Sequence, residues 1–169
     1  TIALPRGSEP GRVVLDDQRR AHVALRSARS LARIALDTAT LEATTEICQL
    51  PRGLANNAAQ ASLWLACADG VLVQLDPGSY AERSRRFVAR DLRDVFVSDR
   101  GELIVSLYRS ARLLVVDAAG SFVANEIPAD VAPPGLPLPA ILSTSSPALA
   151  WRTRQGPDGA AWMLHEREK

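Results

Sequence analysis

Short apolar runs, each closed by a polar or glycine-bearing turn, follow one another along almost the whole chain. Gly11 to Asp17 (GRVVLDD), Ala21 to Arg26 (AHVALR), Leu31 to Leu36 (LARIAL) and Leu41 to Cys48 (LEATTEIC) form a first set. Arg52 to Asn56, Leu63 to Ala68, Val71 to Leu75 and Glu82 to Ala89 form a second, hinged at Asn56-Asn57, Asp69-Gly70 and Pro77-Gly78. Leu92 to Val97, Glu102 to Tyr108, Leu113 to Val116 and Phe122 to Ile127 form a third. Runs of this length between turn residues predict β-strands, four to a set. RSARSLARIALDT could also be written as a helix, because Ala, Leu and Arg are good helix formers. Its counterpart RSARLLVVD carries consecutive β-branched residues and GVLVQLD alternates, so the shared element is expected to be a strand.

The sets are copies of one another. SLARIALD, GVLVQLD and RLLVVD end at Asp37, Asp76 and Asp117, an interval of about 40 residues each time. Arg26-Ser27-Ala28-Arg29 returns as Arg109-Ser110-Ala111-Arg112, Leu4-Pro5-Arg6-Gly7 as Leu50-Pro51-Arg52-Gly53, and Glu46-Ile47 as Glu126-Ile127. A repeat of about 40 residues with four strands in each predicts an all-β chain built as a β-propeller of four-stranded antiparallel blades. The expected division is the end of a preceding blade over 1–10, with Thr1 to Leu4 as its last strand. Blades follow over 11–50, 51–90 and 91–127, then a proline-rich loop over 128–147 and the start of a further blade over 148–169, including Ala148 to Arg152 and Ala160 to His165. The ring is incomplete in this chain, and the remaining blades are expected from the same or another chain.

Strands AHVALR, LWLACA and LIVSLY, each followed by a shorter strand that closes at Leu36-Asp37, Leu75-Asp76 and Val116-Asp117, resemble the YVTN-type, surface-layer-like propellers. In that family a short strand ending in Asp opens the turn between the third and fourth strands of each blade. The resemblance covers nearly the whole chain. It implies a propeller fold and says less about activity, since one fold hosts many functions and many such domains are non-enzymatic.

Composition narrows the class further. With 47% hydrophobic and 23% charged residues, the chain can bury a substantial core. A net charge of +1 argues against a dedicated nucleic-acid binder. No apolar run approaches the roughly 20 residues that span a bilayer, so no membrane insertion is expected. Cys48 and Cys67 come within bridging reach if Arg52 to Asn56 and Leu63 to Cys67 form a hairpin turning near Ala58 and Ala59, which would set Cys67 opposite Leu50. A disulfide there points to a periplasmic or extracellular compartment; the alternative is two buried thiols.

Catalytic motifs are missing: there is no GxSxG, HExxH, phosphate-cradling glycine loop or CxxCH. Cys48, Cys67, His22 and His165 lack metal-ligand spacing, and no metal or cofactor is expected. His22 is read as an exposed or hydrogen-bonded strand residue, and Trp64, Trp151 and Trp162 as core.

Charge placement carries the functional signal. In an antiparallel blade the connections entering the first strand and joining the second to the third emerge on one face, and the other two turns on the opposite face. The first face receives Arg12, Arg52 and Arg93, which recur in phase with the repeat at the entries to the inner strands, with Arg26 and Arg109 in the loops above them. Asp37, Asp76 and Asp117 fall on the second. Converging guanidinium groups at the mouth of a central channel suit a carboxylate, a phosphate or an acidic protein patch. The expected function is a non-enzymatic platform for a protein or small anionic ligand, with Glu9, Asp69, Asp91 and Asp94 on the same face competing for the same arginines. The alternative is a channel-mouth enzyme of the lactonase or quinoprotein dehydrogenase type, whose metal would need Glu, Asp, Asn or His where this chain offers chiefly Arg and apolar residues.

Overall fold

A computed structural model describes residues 1–117, 121–128 and 145–168. The described residues contain fourteen strands: β1 (Pro10–Leu15), β2 (Arg20–Leu25), β3 (Ser30–Ala35), β4 (Thr40–Glu46), β5 (Pro51–Asn57), β6 (Ser62–Cys67), β7 (Val71–Leu75), β8 (Glu82–Phe87), β9 (Leu92–Val97), β10 (Leu103–Leu107), β11 (Leu113–Val116), β12 (Phe122–Glu126), β13 (Ser146–Gln155) and β14 (Ala161–Glu168). They make three four-stranded antiparallel sheets in chain order, β1 to β4, β5 to β8 and β9 to β12, and a two-stranded sheet of β13 and β14. The fold is that of β-propeller blades. Inner strands β1, β5, β9 and β13 stand beside one another in sequence order. Over Ser27 to Leu36 the chain runs through a turn into β3, so the strand reading prevails over the helical one.

The backbone repeats more regularly than the side chains. Glu9, Leu50 and Asp91, one per blade and evenly spaced along the chain, take left-handed φ values of 50°, 46° and 67° just before an inner strand. Arg29, Gly70 and Ala111 keep the same spacing between second and third strands, with φ of 57°, 101° and 48°. Left-handed residues are uncommon outside glycine, and their regular return marks the same turn geometry in each blade.

The core lies between sheets. In β6 (SLWLAC) every residue is buried, because alternate side chains serve opposite faces. Leu63, Leu65 and Cys67 join Ala24, Leu31, Leu54, Val73 and Tyr80 between the first two blades. Trp64 and Ala66 join Leu72, Leu92, Val95, Leu103 and Val105 between the second and third. Outer strands β4 and β8, with the sequences TLEATTE and ERSRRF, are polar and mainly exposed.

Two further ties join the first two blades. Cys48 and Cys67 form a disulfide with Cα atoms 6.3 Å apart. Cys67 lies opposite Pro51 rather than Leu50: Asn57 pairs with Ser62, so the hairpin turns one residue later than Ala58 and Ala59, and an irregularity between Pro51 and Gly53 recovers part of the offset. The hairpin turns through a 3₁₀ turn at Ala58–Gln60. Fully buried His22 bridges the Tyr80 hydroxyl, 2.7 Å from Nδ1, and Asp16 Oδ2, 3.0 Å from Nε2. Burial holds His22 below its ordinary pKa against the opposing pull of Asp16, and burial raises that of Tyr80.

Several expectations are corrected. Thr1 to Leu4 forms no strand; no strand lies beside it among the described residues to complete a ladder, and Ile2 and Leu4 pack on the flank of the first sheet instead. Trp64 is core, but Trp151 and Trp162 are 40% and 57% exposed, because the described residues place only two strands in their sheet. Most of the loop expected over 128–147 lies outside the described residues.

Candidate functional site

Each inner strand delivers one arginine to a common cavity of about 170 Å³. Arg12 comes from β1, Arg52 from β5, Arg93 from β9 and Arg152 from β13, and Arg26 reaches in from the turn after β2. In the three complete blades a left-handed residue immediately precedes the inner strand that carries the arginine.

Close approach of the backbones tightens it. Gly53 in β5 lies so near β9 that an added Cβ would sit 2.7 Å from Val95 N and 2.8 Å from Asp94 Cα. A side chain at position 53 would push apart the two strands that carry Arg52 and Arg93.

Two carboxylates hold part of the cluster. Asp94, almost fully buried, accepts from Arg12 Nε at 2.6 Å through Oδ1 and from Thr153 N at 2.8 Å through Oδ2, while its own N–H donates to Ser106 Oγ. Asp91 accepts from Arg52 at 2.9 Å and from the backbone N–H of Arg109 at 3.1 Å. Arg12 is therefore locked in a buried pair and Arg52 in a half-buried one.

The others are held differently. Arg93 stacks on Tyr108 at 5.2 Å, with Arg52 over the same ring at 5.4 Å, and donates from Nε to Trp151 O at 3.2 Å. The edge of Tyr108 meets Trp151, which braces the ring. Arg93 and Arg152 form no ion pair among the described residues. Both pKa values are lowered: Arg93 by burial and then by Arg52 and Arg12 against the pull of Asp94, and Arg152 by partial desolvation and then by Arg12 and Arg154. Arg26 approaches Glu9 only to 4.0 Å, and its buried Nε has no hydrogen-bond partner.

Of the five arginines singled out in the sequence, Arg12, Arg26, Arg52 and Arg93 come together. Arg109 does not line the cavity. Its side chain is 83% exposed, with Nε 3.6 Å from Asp91 at the rim. Arg152 escapes sequence reasoning because the proline-rich insertion between it and Arg93 breaks the phase of the repeat, and discounting that insertion leaves Arg152 and Arg154 equally close to the expected spacing.

The opposite face is neutralised locally. Arg19 pairs with Asp37, Arg20 with Asp16 and Arg83 with Asp76. Asp76 also caps its turn, accepting from the N–H groups of Ser79 and Gly78, and these bonds with Arg83 lower its pKa to about 2. Asp117 likewise accepts from the backbone N–H of Ser121, so the aspartates that close β7 and β11 have a turn-capping use. Among the described residues no three His, Cys, Asp or Glu side chains converge as a metal site, and no helix is long and apolar enough to cross a membrane. The disulfide is compatible with a non-cytosolic location.

No family model matches the chain, and no curated protein matches it in sequence. Solved structures do. The chain is similar to a hydrazine synthase of Kuenenia stuttgartiensis, with a TM-score of 0.69 and 13% identity over 96% of this chain and 59% of that one. It is similar to a catalytically inactive virginiamycin B lyase of Staphylococcus aureus with quinupristin, with a TM-score of 0.71 and 11% identity over 96% of this chain and 50% of that one. The Swd1 β-propeller domain of Myceliophteria thermophila matches with a TM-score of 0.59 and 10% identity over 73% and 41%. The chain spans about half the length of the first two. At these identities the likeness shows the fold alone: this chain is built of β-propeller blades, an architecture its neighbours use both for enzymes and for other proteins.

Proposed function

We propose that the chain is a non-enzymatic propeller platform that binds a protein or small anionic ligand at the arginine cluster. One observation carries this reading: five guanidinium groups from four successive inner strands and one loop share a small cavity, and among the described residues only Asp91 and Asp94 bring carboxylates into hydrogen bonds with them. Like charges brought together at the cost of desolvation and mutual repulsion favour an anion that relieves both. A lactonase-type or quinoprotein-type enzyme would place metal-binding or polar catalytic groups where these arginines converge, so the geometry favours binding. The disulfide supports a periplasmic or extracellular setting, and the aspartates that close β3, β7 and β11 support kinship with the YVTN-type propellers. Remaining blades of the same protein or of a partner would complete the ring.

The test is a thermal-shift screen of small mono- and polyanions at fixed ionic strength. A ligand at about 100 times its Kd stabilises by about 2.7 kcal/mol, a clear rise in Tm. Arg93→Ala should cut the rise to about half or less at the same ligand concentration, since a hydrogen bond to a charged group contributes about 1.5–3 kcal/mol, or about 10- to 150-fold in affinity. A screen in which no anion shifts the melt of the wild-type chain refutes the reading.

A further inference from the structure

We infer that the group recognised in the arginine cavity is a single tetrahedral dianion, a phosphoryl group or free sulfate, rather than a carboxylate. The inference rests on the anion-site reading above and adds the chemical class.

Size is the first ground. A cavity of about 170 Å³ lies well below the roughly 300–1,000 Å³ of sites that enclose a drug-sized molecule. It admits one compact group, either free or at the end of a larger molecule.

Charge is the second. Asp94 is engaged by Arg12, and Asp91 by Arg52 and Arg109. Arg93 and Arg152 are left without a carboxylate among the described residues. Two unmatched positive charges correspond to the charge of about −1.5 to −2 on a phosphate monoester near neutral pH, whereas a carboxylate supplies only one negative charge. Burial is the first cause of the lowered proton affinity of both arginines, and the neighbouring guanidinium groups lower it further.

Direction is the third. A carboxylate is planar and is met by one guanidinium fork in its own plane. Here the donors arrive from separate strands and from the β2 to β3 turn, so they surround the cavity instead of lying in one plane. Arg26 adds a buried Nε with an unspent N–H. Three or four oxygens pointing in different directions can accept from such a set; two coplanar ones cannot. Tyr108 completes the arrangement by holding the Arg52 and Arg93 guanidinium planes over its ring, which limits their loss of freedom on binding.

Isothermal titration at constant ionic strength, with inorganic phosphate, sulfate, glycerol 2-phosphate and acetate as probes, tests the inference on the whole chain. Phosphate is expected to bind at pH 7.5 and to weaken several-fold at pH 5.5 as it becomes a monoanion. Sulfate should bind at both pH values alike, and acetate at least ten-fold more weakly than phosphate. Glycerol 2-phosphate binding as tightly as phosphate assigns an esterified ligand, and its exclusion assigns the free ion; either result supports the dianion. Arg152→Met, whose side chain has no hydrogen bond or ion pair to lose among the described residues, should weaken phosphate at least ten-fold with an unchanged melt; Arg93→Met should weaken it as much, with a lowered melt from the lost bond to Trp151 O and contact with Tyr108. Arg85→Met, on the outer strand, should leave phosphate affinity unchanged. Acetate binding as tightly as phosphate overturns the dianion and leaves the anion site standing. Absence of binding by all four probes overturns both.

Discussion

Gly53→Ala isolates the contact on which the site depends. Gly53 is buried in β5, and its φ lies outside the left-handed range, so alanine is allowed by the backbone and the cost is steric alone. The new methyl would sit 2.7–2.8 Å from Val95 N and from Asp94 C and Cα, and backbone atoms cannot rotate out of the way as a flexible side chain can. Overpacking of this kind costs about 1–3 kcal/mol. For a chain of this size 1 kcal/mol moves Tm by about 2–4 °C, so the expected fall is about 2–12 °C by circular dichroism. Separation of β5 from β9 would also displace Asp94, which orders Arg12 and Thr153, so anion affinity should fall with stability. Gly11→Ala is the control: its Cβ would meet nothing closer than 3.6 Å, and loss of unfolded-state freedom should leave stability unchanged or raise it by about 0.4–1 kcal/mol. If Gly53→Ala melts with the wild type, the blades do not approach as described and the site geometry is wrong.

Two further outcomes test the tie between the first blades. Reduction of Cys48–Cys67, which closes a loop over a separation of 19 residues, should cost about 3 kcal/mol and lower Tm correspondingly; an unchanged melt in reductant would contradict a stabilising bridge. His22 has a folded pKa below its unfolded value of about 6.5. The unfolded chain therefore binds more protons once pH drops to that value, and stability should decline from about pH 6.5 downward until the folded His22 protonates as well. The groups facing His22 are Asp16, Arg20, Arg33 and Tyr80; His22→Gln should flatten the decline, and an identical pH profile in this variant would remove His22 as its source.

Much of the fold was legible because a repeat constrains every copy at once. Asp37, Asp76 and Asp117 marked the third strands, and Asp76 shows why: a carboxylate there caps the following turn. The disulfide followed from hairpin pairing, although the hairpin turns one residue later than expected and a bulge recovers part of the offset, neither of which alternation alone can register. Trp151 and Trp162 were misplaced because burial depends on which strand lies alongside, and residue type carries no such information. His22 was open to two readings, since a hydrogen-bonding partner 58 residues away at Tyr80 leaves no local trace.

The period, the number of strands in each unit and the phase of Arg12, Arg52 and Arg93 are properties of spacing, and spacing is written along the chain. Which charges remain available is settled only in three dimensions. Asp94 is adjacent in sequence to Arg93 but turns to the opposite side of β9 and neutralises Arg12, 82 residues away, while Arg93 is held by Tyr108 and Trp151. Pairing follows distance in space, where an energy that falls with separation distinguishes neighbours that the chain order cannot.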